Sequence, residues 1–452
     1  MAIAIVVILL IVGSVLFHFL SPWYFTPIAS NWGTIDDTIS LTFWVTGVVF
    51  VAVNLFMAYC VMRFRYRKEK RAEYEPENKK LEAWLVGLTA VGVAAMLAPG
   101  LAVWAKFVTV PEDATVIEAV GQQWFWSYRF PGKDGKLGTV DSRHVSDKNP
   151  FGMNPGDPNG QDDILITSPE LHLPIDKPVK VLLRSIDVLH NFTVAQFRVK
   201  MDLVPGLVTY IWFTPTRTGK FDLLCEELCG IAHFTMRGKV IVEEERAFQA
   251  WLSSYPTFAQ SSAQAAGDAA AGKPLYAVCA ACHGVQAEGN AALHAPKLSG
   301  QGDWYLKRQL KYFKQGARGT HDKDVFGKMM APMAATLGDD AAINNVTAYI
   351  RTLPDNPAPA TVKGNANDGQ KLYVTTCGAC HGPNGRGVQA MNAPGLKGMS
   401  DWYLATQLKN FKQGIRGAHP QDMYGGQMAL MAAILTDDRA VDDLVAYVST
   451  LK

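Results

Sequence analysis

The sequence predicts a multidomain membrane protein, with transmembrane α-helices first, a β-sandwich next and two all-α units last. Three observations carry this order. Long apolar runs crowd residues 1–107, short β-branched runs separated by turn residues fill 108–255, and the remainder repeats itself at a constant offset of 98 residues. The 452 residues correspond to about three domains at roughly 150 residues each. Hydrophobic residues make up 48% and charged residues 19%, with a net charge of +2. Such a balance excludes a nucleic-acid binder, which needs a basic face, and an acidic solvating tail.

The apolar runs span about 2–20, 39–62 and 81–107, each long enough as helix for the roughly 30 Å hydrocarbon core. The first lacks the basic start and small-residue cleavage site of a signal peptide, so a retained helix is expected. Cys60 in the second run reads as a packed thiol. Between the second and third runs lies a basic stretch beginning Arg63-Phe-Arg-Tyr-Arg-Lys. The positive-inside rule puts that loop in the cytoplasm and everything after residue 107 outside it.

Residues 108–255 contain Val116–Val120, Val179–Arg184, Leu207–Phe213 and Gly238–Val242, β-branched runs of strand length. A Gly-, Asp- and Pro-rich segment, 131–163, reads as a long loop, and its Asp157–Asp163 portion as a solvated acidic turn rather than a calcium site. The strong signal is Cys225-Glu-Glu-Leu-Cys229-Gly-Ile-Ala-His233-Phe-Thr-Met236, with a further imidazole, His190, after an apolar strand. Thiolate, thioether and imidazole together select copper, and two cysteines on one loop can bridge two copper ions. A disulfide would not need His233 and Met236 at those offsets, and zinc rarely takes methionine.

A small-residue linker, 256–267, leads to Cys279-Ala-Ala-Cys282-His283, and a second linker, 354–365, precedes Cys377-Gly-Ala-Cys380-His381. C-x-x-C-H is the attachment signature of c-type haem. The offset of 98 also relates Pro296 to Pro394, Trp304-Tyr305 to Trp402-Tyr403, His321 to His419 and Leu337 to Leu435. Duplication of one haem unit, as 268–353 and 366–452, accounts for this without insertion or deletion. Both units are close to neutral, with ten basic against seven acidic residues in the first and eight against seven in the second. A strongly basic electron donor is therefore not demanded.

These motifs carry two resemblances. Residues 39–250 resemble subunit II of haem-copper cytochrome c oxidase, which holds a dinuclear CuA centre in a cupredoxin-like β-sandwich. The resemblance implies His190, Cys225, Cys229, His233 and Met236 as copper ligands. It also implies Glu227 as a backbone-carbonyl ligand whose side chain faces a magnesium or manganese site shared with subunit I. Gly121-Gln-Gln-Trp124-Phe-Trp126 matches the family's aromatic strand. There Trp124 takes the position of electron input to CuA, whereas Trp126 reads as core. Glu82, in Asn78-Lys-Lys-Leu-Glu82, matches an acidic residue at the mouth of a proton path, and equally suits a helix N-terminus. Glu226 and Leu207 depart from the family pattern, and the first helix is additional to the usual two. The repeated units are similar to the di-haem cytochrome c4 group, of class I cytochrome c fold. That likeness implies Met330 and Met428 as sixth iron ligands, with Met329, Met333 and Met431 as packing residues and His321 and His419 at or near the surface.

The functional expectation is the electron-input subunit II of a caa3-type oxidase in a bacterial inner membrane. Electrons would come from cytochrome c or a quinol–cytochrome c reductase, pass two c haems and CuA, and reach subunit I, with subunit III alongside and proton translocation coupled. The alternative is the electron-input subunit of a CuA-type nitric oxide reductase. A free-standing membrane electron carrier is a third reading, disfavoured by Trp124 and Glu82.

Overall fold

The computed structural model describes residues 2–21, 26–71, 74, 76–146, 149–263 and 267–451. Three long helices come first: α1 Ala2–Leu20, α2 Gly33–Arg63 and α3 Lys79–Val108. Each is long and apolar enough to cross a membrane. Their leucines, valines and phenylalanines point outward with little cover from the rest of the chain, which suits lipid and not water. Helix α2 starts six residues before the charge-free run, because Asp36 in its first turn is neutralised by Arg198, Nε to Oδ1 2.6 Å. Asn78 caps α3 by accepting from the Leu81 N–H at 3.0 Å, a standard use of an N-cap amide.

Ten strands follow among the described residues, more than the four β-branched runs suggest. They are β1 Thr115–Gln122, β2 Phe125–Phe130, β3 Ile164–Ile166, β4 Glu170–Pro174, β5 Val179–Ser185, β6 His190–Val194, β7 Val199–Leu203, β8 Thr209–Phe213, β9 Gly219–Leu224 and β10 Arg237–Glu243. They form two five-stranded sheets, ordered β3-β2-β1-β5-β8 and β4-β10-β9-β6-β7. Pairs β1–β5 and β4–β10 are parallel. Trp126, Phe192, Phe197, Phe213 and Leu223 fill the space between the sheets, so Trp126 is a core residue as expected.

The sandwich is tied to the helices at one end. Trp32 Nε1 donates to the Trp212 carbonyl at 3.0 Å, before α2. At the end of α3, Tyr210 Oη donates to the Val108 carbonyl at 3.1 Å and Trp212 Nε1 to that of Lys106 at 3.3 Å. The basic loop after α2 lies at the opposite ends of these helices.

The loop 131–163 is held by a buried charge network. Arg129 reaches Glu118 at 3.0 Å, Asp163 at 2.7 Å and the Gly138 carbonyl at 2.6 Å, and Arg184 reaches Glu118 at 2.9 Å. Burial alone would raise the Glu118 carboxyl, but Arg129 and Arg184 outweigh it and hold it below the ordinary range. Asp163 is fully buried, so the acidic turn is not solvated as expected. Its carboxylates cap and brace the loop instead, with Asp157 accepting from the Thr139 N–H at 2.7 Å.

Short helices α4 Glu245–Leu252 and α5 Phe258–Ser262 lead out of the sandwich. The first linker is thus part helical, because Thr257 and Gln260 form a reciprocal capping box. The first repeat contains α6 Ala269–His283, α7 Asp303–Gln315, α8 Val325–Ala335 and α9 Asp340–Ile350. The second contains α10 Ala366–Leu372, a π-helical turn Tyr373–Cys377, α11 Gly378–His381, α12 Asp401–Lys412, α13 Met423–Ala432 and α14 Asp438–Val448. In each repeat the first and last helices cross at a glycine. A Cβ on Gly272 would fall 1.9 Å from the Asn345 carbonyl oxygen, so no other residue fits that crossing.

Replacing Arg129 by Met leaves Asp163 buried without its counter-charge and Glu118 with Arg184 alone. The expected loss is about 3–5 kcal/mol, read as a lower thermal midpoint of the solubilised protein; an unchanged midpoint would show that the network contributes nothing.

A candidate copper centre and two candidate haem clefts

Strand β6 begins with His190, and the loop after β9 carries Cys225 to Met236. The fold brings these side chains together. Cys225 and Cys229 Sγ lie 3.8 Å apart, too far for a disulfide bond of about 2.05 Å. Cys225 Sγ is 4.0 Å from His190 Nδ1, and Cys229 Sγ is 3.3 Å from His233 Nδ1 and 4.0 Å from Met236 Sδ. The Glu227 backbone carbonyl lies 3.3 Å from Cys225 Sγ. His190, Cys225 and Cys229 form a buried group able to hold a metal ion. Two thiols, two imidazole Nδ1 atoms, a thioether and a carbonyl thus converge on one small volume, a donor set that fits soft copper ions.

The thiols share a proton unequally. Hydrogen bonding from the Cys229 thiol, helped by His190, outweighs burial and holds Cys225 well below the ordinary thiol range, so Cys225 ionises first. For His190, burial lowers the pKa but the Asp187 carboxylate outweighs it. Asp187 accepts from His190 Nε2 at 2.8 Å, which turns Nδ1 toward the sulfurs. It also accepts from the Gln123 N–H at 2.7 Å. The sequence gives no sign of Asp187, because nothing marks a carboxylate three residues before a histidine as its partner until the turn between them folds.

Trp124 stands beside this cluster. Its Nε1 donates to the Cys229 carbonyl at 3.1 Å, and Gln123 Nε2 donates to the same oxygen at 2.7 Å. The next residue, Gly230, has φ of 120°. A Cβ there would sit 2.9 Å from the Trp124 ring, so the close approach requires glycine. Glu226 pairs with Lys200 at 3.1 Å, which offsets the charge it adds near the sulfurs. Leu207 lies exposed in a turn. Glu82 is exposed in the first turn of α3, apart from the cluster.

In the cytochrome units, each C-x-x-C-H closes the first helical segment. His283 Nδ1 bonds the Pro296 carbonyl at 2.7 Å and His381 Nδ1 that of Pro394 at 2.8 Å, which leaves each Nε2 for a ligand. Burial pushes both imidazoles below the ordinary histidine range, so they are neutral, the form that binds iron. The two clefts form one continuous cavity of about 430 Å³. Cys279, Cys282, His283 and Met330 line it from one unit, and Cys377, Cys380, His381 and Met428 from the other. Two thiols, a tethered neutral imidazole and a thioether in an apolar cavity fit covalently attached haem. His321 and His419 are exposed and accept backbone N–H groups. Met329 and Met333 do not pack in the core as expected. They line the haem cleft beside Met330, exposed at 61% and 38%. Met431 is half-buried against the sandwich.

The two units clasp each other through a reciprocal network. Arg318 donates to Gln309 at 2.7 Å, to Tyr403 Oη at 2.8 Å and to Gln407 at 3.2 Å. Arg416 donates to Gln407 at 2.8 Å, to Tyr305 Oη at 2.9 Å and to Gln309 at 3.0 Å. Each contact maps onto its twin at the offset of 98 residues.

Comparison with known proteins agrees with this architecture. Residues 115–244 match the family described as the periplasmic domain of cytochrome c oxidase subunit II, and residues 269–354 and 366–452 each match cytochrome c. The chain is 64% identical over 259 residues to an alternative cytochrome c oxidase subunit 2 of Bradyrhizobium diazoefficiens, spanning 57% of this chain and 94% of that one. It is 30% identical over 236 residues to cytochrome c oxidase subunit 2 of Cereibacter sphaeroides, spanning 50% and 77%. It is 36% identical over 165 residues to cytochrome c4 of Stutzerimonas stutzeri, spanning 34% and 77%. A membrane-anchored electron-transfer subunit is the class that fold and site define. The chain belongs to the cytochrome c oxidase subunit II family, and it adds two cytochrome c domains to the family's copper domain.

A double-mutant cycle of Arg318→Met with Tyr403→Phe is expected to show a coupling of about 0.5–3 kcal/mol in unfolding free energy. Strict additivity would mean that the clasp holds nothing.

Proposed function

We propose that this chain is the electron-input subunit of a respiratory terminal oxidase of the caa3 type in a bacterial cytoplasmic membrane. It moves electrons from an extracytoplasmic donor to the haem a and oxygen-reducing site of subunit I, coupled to proton translocation, with subunit III in the same complex. The donor is cytochrome c or a quinol–cytochrome c reductase. The observation that carries this reading is the coexistence, in one chain, of the soft-donor cluster around Cys225 and Cys229 with two C-x-x-C-H clefts. The 64% identity to an alternative oxidase subunit supports oxygen over nitric oxide as the acceptor.

In this reading His190, Cys225, Cys229, His233, Met236 and the Glu227 carbonyl hold CuA. Cys279, Cys282, His283 and Met330 hold one c haem, and Cys377, Cys380, His381 and Met428 the other. Bound there, these groups supply one-electron carriers that need little reorganisation. The chain's own contribution is to orient and shield them: Asp187 fixes His190, the Pro296 and Pro394 carbonyls fix the haem-side histidines, and burial keeps those imidazoles neutral. Trp124 links the Cys229 backbone to the sandwich surface. The Glu227 side chain would help hold a magnesium or manganese ion shared with subunit I. Glu82, at the cytoplasmic start of α3, stands at the mouth of a proton path.

The test is a pyridine haemochrome analysis of the complex purified through this chain, with oxygen and nitric oxide consumption assayed alongside. Haem a together with haem c, and oxygen uptake, are expected. Haem b and c without haem a would overturn the oxidase reading in favour of nitric oxide reduction. Asp187→Ala is expected to weaken copper binding by about 10–100-fold in a competitive chelator titration; unchanged affinity would show that His190 needs no support.

A further inference from the structure

The duplication supplies its own control for reading the surface of the cytochrome units. Positions related by 98 residues occupy equivalent places, so unequal exposure of a pair reports a contact made by one copy. On the second unit Met391, Met423, Tyr424, Gln427 and Met431 are half-buried. Their counterparts on the first are Leu293, Val325, Phe326, Met329 and Met333; all five are exposed, from 38% at Met333 to 61% at Met329, and all but Val325 also border the haem cleft. The same holds for the cysteines, with Cys282 exposed and Cys380 half-buried.

The copper domain makes much of the difference, and Arg308 of the first unit adds to it by lying over the Tyr424 ring, 4.3 Å from its centroid. Gln427 Nε2 donates to the Trp124 carbonyl at 2.6 Å, and Gln122 Nε2 donates to the Ala390 carbonyl at 2.7 Å. The Tyr424 and Phe125 rings meet edge-on with centroids 6.1 Å apart. Cys380, Met391 and Met431 pack against the sandwich core. With the second unit seated there, Trp124 is only 5% exposed, so a carrier arriving from solution does not reach it.

We propose that the matching face of the first unit, Leu293, Val325, Phe326, Met329 and Met333 around Cys282, is where a soluble one-electron carrier protein docks. The first unit then receives electrons and the second hands them to the copper domain. This rests on the electron-input reading above, and adds to it the order of the units and the place of docking. The occupant follows from the twin face, whose partner is itself a redox domain that meets it through aromatic rings, thioethers and neutral amides. A carrier whose cofactor edge emerges among apolar groups makes the same kind of contact. Charges beside the face are balanced, since Lys328 pairs with Asp322 at 2.9 Å and Lys323 stands near Asp324 in sequence. Docking is therefore governed by apolar contact and responds weakly to salt. One electron leaves the carrier, which is oxidised, and the first unit is reduced by one; no bond is made or broken.

The test uses the whole purified complex with a soluble monohaem cytochrome c as the probe. Val325 is the first residue of α8, where a carboxylate suits the helix N-terminus, so Val325→Glu keeps the fold. Val325→Lys is the second variant, and the haem c absorption and thermal midpoint confirm that both are intact. Both are expected to weaken binding of oxidised cytochrome c, measured by interferometry, by about tenfold or more. Both are also expected to slow the second-order reduction of the chain by reduced cytochrome c in stopped flow. Gln427→Glu, which sets a carboxylate against the Trp124 carbonyl, is expected to leave binding unchanged and to slow the later reduction of the copper domain. Unchanged binding in both Val325 variants, or weakened binding in Gln427→Glu, would overturn the proposal. So would protection of Val325 and Met329 from hydroxyl-radical footprinting before any carrier is added, which would assign the face to another subunit. Failure of the unaltered complex to consume oxygen with ascorbate and a small-molecule mediator would instead strike the oxidase reading and leave the docking result standing.

Discussion

The carbonyl oxygen of Cys229 accepts two side-chain hydrogen bonds, from Gln123 at 2.7 Å and Trp124 at 3.1 Å, and two segments of the copper domain meet through it. The loop bearing the soft donors is fixed to the β1–β2 turn by these bonds. The same turn is fixed to the second cytochrome unit through the Trp124 carbonyl and Gln427. Asp187 closes the arrangement from behind, because one carboxylate serves both the Gln123 N–H and the His190 ring. A buried acceptor that fails to find donors costs about 1–3 kcal/mol. The geometry is therefore cooperative: movement of the turn would strip partners from the copper loop and from the docked unit together.

The membrane helices set where this assembly sits. Tryptophans 32 and 212 pack ring against ring at 4.7 Å and both use their indole N–H groups across the helix–sandwich junction. Their apolar bodies and polar edges suit the boundary between lipid and water. The Asp36–Arg198 pair lies at the same level and adds a charged contact that lipid would not tolerate deeper. Rigid anchoring at two helix ends leaves the sandwich little freedom to tilt, while the cytochrome units reach it through a chain segment braced by one short capped helix.

Much of this was legible in the sequence because its signals are local. The apolar runs, the two haem-attachment motifs, the Cys225–Met236 cluster and the constant offset of 98 each lie within a window that can be read without a fold. What was not legible depends on pairing at a distance. Strands such as β3 and β4 are only three and five residues long and acquire their identity from neighbours. The first turn of α2 reads as loop because it is charged, until Arg198, far along the chain, is found beside Asp36. Asp163 looked solvated because an acidic turn usually is, yet Arg129 draws it inside. Met329 and Met333 read as packing residues because methionine usually is one, yet they line the haem cleft and stay accessible. The repeat disclosed that Arg318 and Arg416 are twins, but not that each reaches into the other's unit.

That crossing resembles the interface of a two-fold homodimer, in which residue i meets residue j and j meets i. Here both partners are encoded in one chain. The consequence concerns how the two copies can diverge. Each arginine is bound to glutamines of both halves, so a change at Arg318, Tyr305 or Gln309 alters the surroundings of its twin as well. Those positions are constrained to change in concert. Outside the clasp the constraint lapses: Arg308 has Thr406 as its counterpart and Asn392 has His294, and Arg308 donates to Asn392 at 2.7 Å with no mirrored bond. Once fused, the former equals are free to specialise, one half shaping itself to a resident neighbour and the other to visitors.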